Sequence, residues 1–265
     1  LTIVGRIQKL IQTYHVSPEE ILVITFTKYA AVEMKNRFFS AMKGTRPAVT
    51  FGTFHGIYYG ILKWAYRFGP ENILSEEEKN SILKELTLEL AGELAEEGDF
   101  TGELAKEISV VKGNRISLEH YYSSCCPDEV FRQIYSGYCQ TCQAQRKLDF
   151  DDMLLYCYEL FVQRKDILAA WQNKFQYILV DEFQDINHLQ YDIVKMLAAP
   201  ENNLFVVGDD DQSIYHFRGA RPEIMLNFPE DFKNAETVIL NINYRCSGNI
   251  LDTAMKVINY NENRY

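Results

Sequence analysis

The sequence predicts an α/β fold in which a parallel sheet flanked by helices is interrupted by an all-helical insertion. Two apolar runs, at 177–180 and 204–207, each lead into an acidic turn and lie about one strand–helix–strand unit apart. Between about 75 and 163, strand signals disappear and leucines recur at helical spacing. We therefore expect an α/β domain built from 1–70 and 166–265, with a helical subdomain at 71–165 inserted between the two parts.

Length and composition are those of a globular protein. The chain of 265 residues can bury a large core, and its apolar and charged fractions, 47% and 24%, are ordinary. Because no long apolar run or basic leader is present, we expect no membrane span and a cytoplasmic location. The net charge of −10 argues mildly against nucleic acid, but much of the acid lies between Glu76 and Glu107, which leaves room for a narrow local path for one strand.

The first part of the α/β domain begins with an apolar stripe at helical spacing. Strand-like runs follow at 21–25 and 48–51. Because the stripe starts at the first residue with no capping residue before it, we expect the sequence to be cut at this end. The residues of the stripe are Leu1, Val4, Ile7, Leu10 and Ile11.

The predicted insertion reads as a series of helices. Ser75 and Glu78 form the pattern of a capping box, in which each side chain binds the backbone amide of the other residue. Glycines farther along are expected to divide the stretch into short helices. The periodic leucines are Leu83, Leu86, Leu90 and Leu94, and the expected breaks are at Gly98, Gly102 and Gly113.

The second part of the domain contains DEFQD at 181–185, directly after the apolar run YILV at 177–180. Such a run is typical of a buried parallel strand, whose carboxyl end faces the crevice where open α/β sheets bind ligands. Asp181 could hold Mg²⁺ there, usually through water, and Glu182 could polarise an attacking water. The alternative is a strand that ends in solvated acids.

A second apolar run, LFVV at 204–207, leads into GDDDQSIYHFRGA at 208–220. Gln212 could donate to a phosphate oxygen and accept from a water. Tyr215 and Phe217 place two rings beside Arg218, which suits stacking on nucleobases. Without further context, core packing is the commoner explanation for such rings.

DEFQD and GDDDQSIYHFRGA together resemble two motifs of the superfamily 1 helicases related to UvrD, Rep and PcrA. Further stretches agree and occur in family order: ITFTKYAAVEM at 24–34, GTFHG at 52–56, LDFDDML at 148–154 and NYRC at 243–246. The resemblance implies a RecA-like domain of the P-loop NTPase type. It also implies ATP and Mg²⁺ as cofactors, movement on single-stranded DNA with 3′–5′ polarity, unwinding of duplex DNA, and DNA-repair proteins as partners.

The resemblance also implies roles for individual residues. Asp181 would bind Mg²⁺, Glu182 would activate water, and Gln212 would sense the γ-phosphate. Arg245 would contact the γ-phosphate and Tyr244 would stack on adenine. The strand-contacting positions would be Phe26, Thr27, Thr53, His55, Phe217 and Arg218. The chain departs from the usual motifs at Lys28 and Tyr29, which replace Asn-Lys, at Phe217, which replaces a frequent Trp, and at Cys246, which replaces Ser.

The phosphate-binding loop GxxxxGK[ST] is absent, since no Lys in the chain is followed by Ser or Thr. By resemblance, this loop and a second RecA-like domain belong to the same protein. We therefore expect the chain to be one ATP-binding half of a motor, and to be inactive alone. A motor subunit of a helicase–nuclease and a non-catalytic DNA-binding scaffold with the same fold are the alternatives.

Cysteines provide a competing hypothesis for the insertion. Cys125, Cys126, Cys139 and Cys142 could supply four thiolates to zinc or to an iron–sulfur cluster. However, adjacent cysteines reach one metal poorly, and the second pair are i, i+3 neighbours on a predicted helix. We therefore expect reduced thiols without a bound metal.

Overall fold

The computed structural model describes residues 2–92, 99–213 and 220–260. Its strands form one parallel sheet of four strands in the order β2-β1-β3-β4. The predicted α/β class is therefore confirmed, and the second strand begins two residues later than the sequence pattern indicated. The strands are β1 (Ile21–Thr25), β2 (Thr50–Thr53), β3 (Tyr177–Val180) and β4 (Leu204–Val206).

Helices cover both faces of the sheet and form the insertion. The first of them confirms the predicted apolar stripe, because Val4, Ile7 and Leu10 are buried, whereas Leu1 lies outside the described residues. The helices are α1 (Thr2–Gln12), α2 (Lys28–Ala41), α3 (Phe54–Tyr66), α4 (Glu76–Ala91), α5 (Phe100–Gly113), α6 (Asp128–Ala144), α7 (Phe150–Gln163), α8 (Lys165–Lys174), α9 (His188–Ala198), α10 (Glu223–Leu226), α11 (Phe228–Asp231) and α12 (Gly248–Ile258). In the described ranges, none of these helices combines the length and the apolar character needed to cross a membrane.

The central strand β1 divides two hydrophobic cores. All five of its residues are buried, and successive side chains of a strand point to opposite faces. Leu22 and Ile24 therefore join the core formed with α3, α7 and α9. Ile21 and Val23 join the core formed with α1 and α2. A strand covered on both faces holds the carboxyl edge of the sheet in a fixed position.

The insertion has a hydrophobic core of its own, contributed by α4, α5 and α6. The predicted capping box is confirmed: the Ser75 amide donates to Glu78 Oε2 over 2.9 Å, and the Glu78 amide donates to Ser75 Oγ over 3.2 Å. The predicted break at Gly102 is wrong, because this residue lies within α5. One glycine costs a helix only about 1 kcal/mol, and buried Phe100 and Leu104 on the same helix offset that cost. Gly113 does end α5, and Gly98 lies outside the described residues.

A buried ionic cluster connects helices α5 and α6 of the insertion to the start of α7. Lys112 Nζ donates to Asp149 Oδ2 over 2.8 Å and to Asp152 Oδ1 over 2.7 Å. Tyr138 Oη donates to Asp149 Oδ2 over 2.7 Å. The remainder of α7, including Phe161, packs in the core that covers the sheet. Helix α7 therefore contacts both the insertion and the core that covers the sheet. The predicted domain limits near 71 and 165 stay predictions.

Candidate nucleotide and strand site at the carboxyl edge of the sheet

The loops that follow the strands all leave the sheet at one edge. The parallel register pairs Thr25 with Thr53, Ile24 with Val180, and Val180 with Val206. Since ligands of open α/β sheets bind outside the carboxyl ends of the strands, this edge is the candidate site. Of the predicted residues, the structure places Thr53 at the end of β2, His55 in the first turn of α3, and the others in the segments after β1, β3 and β4. These others are Phe26, Thr27, Asp181, Glu182 and Gln212.

Backbone hydrogen bonds to β1 and to the residue that follows β4 hold the turn that carries the two acidic residues after β3. The Asp181 amide donates to the Ile24 carbonyl over 2.9 Å, and the Phe183 amide donates to the Val207 carbonyl over 2.9 Å. Glu182 between them has φ 51° and ψ 47°, in the left-handed region that side chains other than glycine adopt uncommonly. This turn presents the exposed carboxylate of Glu182 to solvent at the mouth of the site.

Burial and the charge of Glu182 raise the pKa of two carboxyl groups in this turn. Burial, followed by the charge of Glu182, raises the pKa of Asp181, and the same two causes raise the pKa of Asp185 to about 6. A divalent cation would remove this repulsion. Carboxylate oxygens also suit Mg²⁺, which keeps several waters and takes one or two protein carboxylates. The described part of the chain contains no group of three or more His, Cys, Asp or Glu placed to hold a metal.

The loop after β4 is joined to the β3 turn by a buried glutamine. Gln184 Nε2 donates to Glu182 Oε2 over 2.9 Å, and Gln184 Oε1 accepts from the Asp209 amide over 3.0 Å. Asp209 Oδ2 in turn accepts from Gln212 Nε2. The structure therefore brings the predicted Glu182 and Gln212 into one hydrogen-bonded cluster. Sequence reasoning missed Gln184 and Asp209, although both stand inside the motifs that indicated the site.

The predicted strand-contacting residues lie beside the acidic turn along the same edge. Thr27 and Thr53 cap α2 and α3, since their hydroxyls accept from the Ala30 and Gly56 amides over 3.1 Å in each case. Phe26 is half-buried between β1 and the Thr27 cap. Both caps hold the loops in the shape that places Phe26 and the first turn of α3 at the edge.

His55 in the first turn of α3 meets an aromatic residue of α7. Its ring and that of Phe150 are perpendicular, at 88°, with their centroids 5.4 Å apart. Burial lowers the pKa of His55, against the opposing charges of Asp151 and Asp149, which favours the neutral imidazole. Phe150 is 48% exposed and is a further candidate for this site that the sequence reasoning did not name, although it stands in the LDFDDML stretch.

Four predicted site residues stand outside the contacts described so far, two of them because the structure does not describe them. Phe217 and Arg218 lie outside the described residues. Tyr244 is 89% exposed, in a segment without helix or strand. The Arg245 amide binds Asn243 Oδ1 over 2.8 Å, a local turn on the surface. The roles of these four residues stay predictions.

Three of the four cysteines singled out in the insertion, Cys125, Cys139 and Cys142, sit in an environment that favours thiols. Cys142 is buried in the core of the insertion. Cys125, Cys126 and Cys139 are partly buried and pack against that core. Burial raises the pKa of Cys125 to about 12 and that of Cys142 to about 11. Metal binding needs the thiolate form, so these surroundings oppose it.

We expect the purified, untagged chain to contain no stoichiometric zinc or iron, measured by elemental analysis. Replacing the four insertion cysteines by alanine should leave the protein folded, because their sulfur atoms act as small apolar groups. The control is the same analysis after incubation with zinc and removal of the excess. One tightly held metal ion per chain would contradict this expectation and make the insertion a metal module.

Comparisons with known proteins agree that the chain is similar to DNA helicases. A family model described as the UvrD/REP helicase N-terminal domain matches residues 1–233. The chain is 37% identical to a putative ATP-dependent DNA helicase, YjcD, of Bacillus subtilis (strain 168), over 98% of the chain and 35% of that protein. It is 35% identical to a probable DNA helicase II homolog of Mycoplasma capricolum, over 99% of the chain and 37% of that protein. It is 37% identical to the ATP-dependent DNA helicase PcrA of Staphylococcus epidermidis, over 98% of the chain and 36% of that protein. The chain thus spans roughly a third of the length of these relatives.

Proposed function

The chain belongs to the UvrD/REP helicase family, and from this we propose that it supplies the ATP-hydrolysing and strand-contacting residues of a motor. The motor couples ATP hydrolysis to 3′–5′ movement on single-stranded DNA and unwinds duplex DNA. The observation that carries the proposal is the single hydrogen-bonded cluster of Glu182, Gln184, Asp209 and Gln212 at the carboxyl edge of the sheet. A cluster of this kind can connect a nucleotide to a strand bound along the same edge.

The ATP chemistry is assigned to residues at this edge. Asp181 would hold Mg²⁺ through water, and the ion would offset the charge on the phosphate oxygens. Glu182 orients and polarises the attacking water. Gln212 donates to the γ-phosphate, and Arg245 and Tyr244 complete the nucleotide site through the γ-phosphate and the adenine ring. The chain contains no GxxxxGK[ST] stretch, so tests of turnover need a form of the protein that includes such a loop.

The strand would lie across the loops that follow β1 and β2. Phe26, His55 and Phe150 offer aromatic faces along this part of the edge. Every base has a π-face, so stacking tolerates any sequence, which a translocating motor requires. A local path of this kind agrees with a net charge of −10, because much of its affinity comes from stacking and less from phosphate contacts.

We expect Phe26→Ala to weaken binding of single-stranded DNA by roughly 1–3 kcal/mol, the usual value of one stacked base. Fluorescence anisotropy would measure this loss on oligo-dT and on a mixed-sequence strand, and the loss should be similar on both. Stimulation of ATP turnover by DNA should fall, while turnover without DNA changes much less.

The matched control for this test is Phe39→Ala. Phe39 is also half-buried, but it lies on α2 and packs against the core formed with α1 and α2. This variant should lose stability without a specific loss of DNA affinity. If Phe26→Ala lowers the melting temperature as much as Phe39→Ala does, and if basal and stimulated turnover fall in parallel, then Phe26 is a packing residue. Strand binding by the wild type without any ATP turnover would favour the scaffold alternative.

A further inference from the structure

Gln184 is a buried polar residue between two loops of the candidate site. Its exposed fraction is 1%, and it lies in the short 3-10 turn Phe183–Asp185 directly after Glu182. A buried amide is costly unless its hydrogen-bonding groups are satisfied. The partners of this side chain therefore indicate what the residue does.

Both ends of the Gln184 amide have partners in different segments. On the donor side, Nε2 binds Glu182 Oε2 over 2.9 Å and Asp185 Oδ2 over 3.3 Å, both in the turn after β3. On the acceptor side, Oε1 receives the Asp209 amide over 3.0 Å, in the loop after β4. The backbone carbonyl of Gln184 also accepts from Ser213 Oγ over 3.4 Å, farther along that segment.

A glycine makes room for this arrangement. A Cβ atom at Gly208 would lie 2.7 Å from Gln184 Oε1 and 3.2 Å from the Gln184 backbone nitrogen. Because the backbone nitrogen cannot move aside as a flexible side chain would, any larger residue at 208 would push the two loops apart. The close approach of Gly208 and the hydrogen bond to Asp209 are thus two parts of one contact.

We propose that Gln184 is the positioning residue that holds the catalytic carboxylate of Glu182 and the loop carrying Gln212 as one unit. The consequence of this inference rests on the proposed function. If Gln212 shifts when it meets the γ-phosphate, the shift is transmitted to Glu182. The mechanical part of the inference depends only on the hydrogen bonds described above. The two parts are therefore tested separately.

The mechanical part is tested by amide hydrogen exchange on residues 1–265 without nucleotide. Gln184→Leu keeps the approximate size but removes donor and acceptor, so exchange at the Asp209 amide should become about tenfold faster or more. Gln184→Glu keeps an oxygen that accepts from Asp209, so most of the protection should return. Gly208→Ala should accelerate exchange at Asp209 as Gln184→Leu does. Unchanged protection at Asp209 in Gln184→Leu would overturn the proposal.

Gln190 provides a matched control on the neighbouring helix α9. It is also a buried glutamine, 5% exposed, and its Oε1 accepts a backbone amide, that of Asn187, over 3.0 Å. Gln190→Leu should lower the melting temperature without specific acceleration at the Asp209 amide. If both variants accelerate exchange at Asp209 equally, Gln184 is merely a structural residue and the proposal fails.

The functional part is tested by ATP turnover in a form of the protein that hydrolyses ATP. Gln184→Leu should lower kcat by about 10- to 100-fold, the usual effect of losing one hydrogen bond to a charged group, while KM for ATP changes little. Gln184→Glu should restore the protection of Asp209 yet keep kcat low, because its carboxylate repels Glu182 and Asp185. A wild type without turnover would overturn the proposed function and leave the exchange result standing. A kcat of Gln184→Leu equal to that of the wild type would overturn the coupling alone.

Discussion

Glu182→Gln is expected to lower the kcat for ATP hydrolysis by about 10²–10⁴-fold, the usual contribution of a positioned base. The substitution keeps the size of the side chain and removes its ability to take a proton from water. Binding of ATP and of single-stranded DNA should change little, because the turn is held by backbone hydrogen bonds from Asp181 and Phe183. Steady-state turnover and nucleotide affinity, measured on a form that hydrolyses ATP, separate the two effects.

Two further variants sharpen the test of Glu182. Glu201→Gln changes an exposed glutamate in the turn before β4, at the opposite edge of the sheet, and should leave kcat unaltered. Asp181→Ala should instead weaken Mg²⁺-dependent nucleotide binding. If Glu182→Gln hydrolyses ATP at the wild-type rate, another group is the base.

Lys112→Met is expected to lower the free energy of unfolding by about 3–5 kcal/mol, the usual cost of removing one partner from a buried ionic cluster. Lys112 is 2% exposed, and Asp149 and Asp152 are the carboxylates it binds. Without the ammonium group, both would be left in the interior without a cation. Urea denaturation of residues 1–265 measures the loss, and the melting temperature should fall by roughly 10 °C.

The loss should depend on pH in a defined direction. Burial and the charge of Asp149 already raise the pKa of Asp152 to about 6, and removal of Lys112 should raise it further. A carboxyl group whose pKa is higher in the folded state destabilises that state as pH rises above the unfolded value of about 3.9. The deficit of Lys112→Met should therefore be larger at pH 8 than at pH 5.

Controls distinguish an unpaired charge from lost packing. Lys79 is also buried, but its Nζ lies 3.9 Å from Asp151, so Lys79→Met should cost clearly less. The triple variant Lys112→Met, Asp149→Asn, Asp152→Asn removes all three charges and should recover much of the stability. If the triple variant is as unstable as Lys112→Met, the loss of stability comes from the packing of the methylene stem of Lys112 and not from its charge.

The sheet could be predicted because its determinants are local. The strand Tyr177–Val180 can be recognised in the sequence as an uninterrupted apolar run, and the acids after it mark the carboxyl edge of the sheet. Ser75 and Glu78 are likewise close enough in sequence for the capping box to be read directly. Parallel topology then brings the separate loops to one edge without further information.

The features that escaped prediction depend on distant partners. A lysine such as Lys112 on a helix normally indicates a solvated face, and its partners Asp149 and Asp152 are 37 and 40 positions away. Gln184 has the same difficulty, since the Asp209 amide is 25 positions away. The break predicted at Gly102 was wrong because glycine is more often found at helix ends than inside them, whereas here the burial of Phe100 and Leu104 keeps the helix continuous.

The left-handed backbone of Glu182 has a consequence for protein engineering. An L-residue with a Cβ costs roughly 1–2 kcal/mol in this conformation, whereas glycine adopts it freely. Any library screened for heat resistance alone would therefore drift toward glycine at position 182 and lose the carboxylate. Designers who stabilise this domain should fix position 182 before selection, so that the carboxylate proposed to act in turnover is kept.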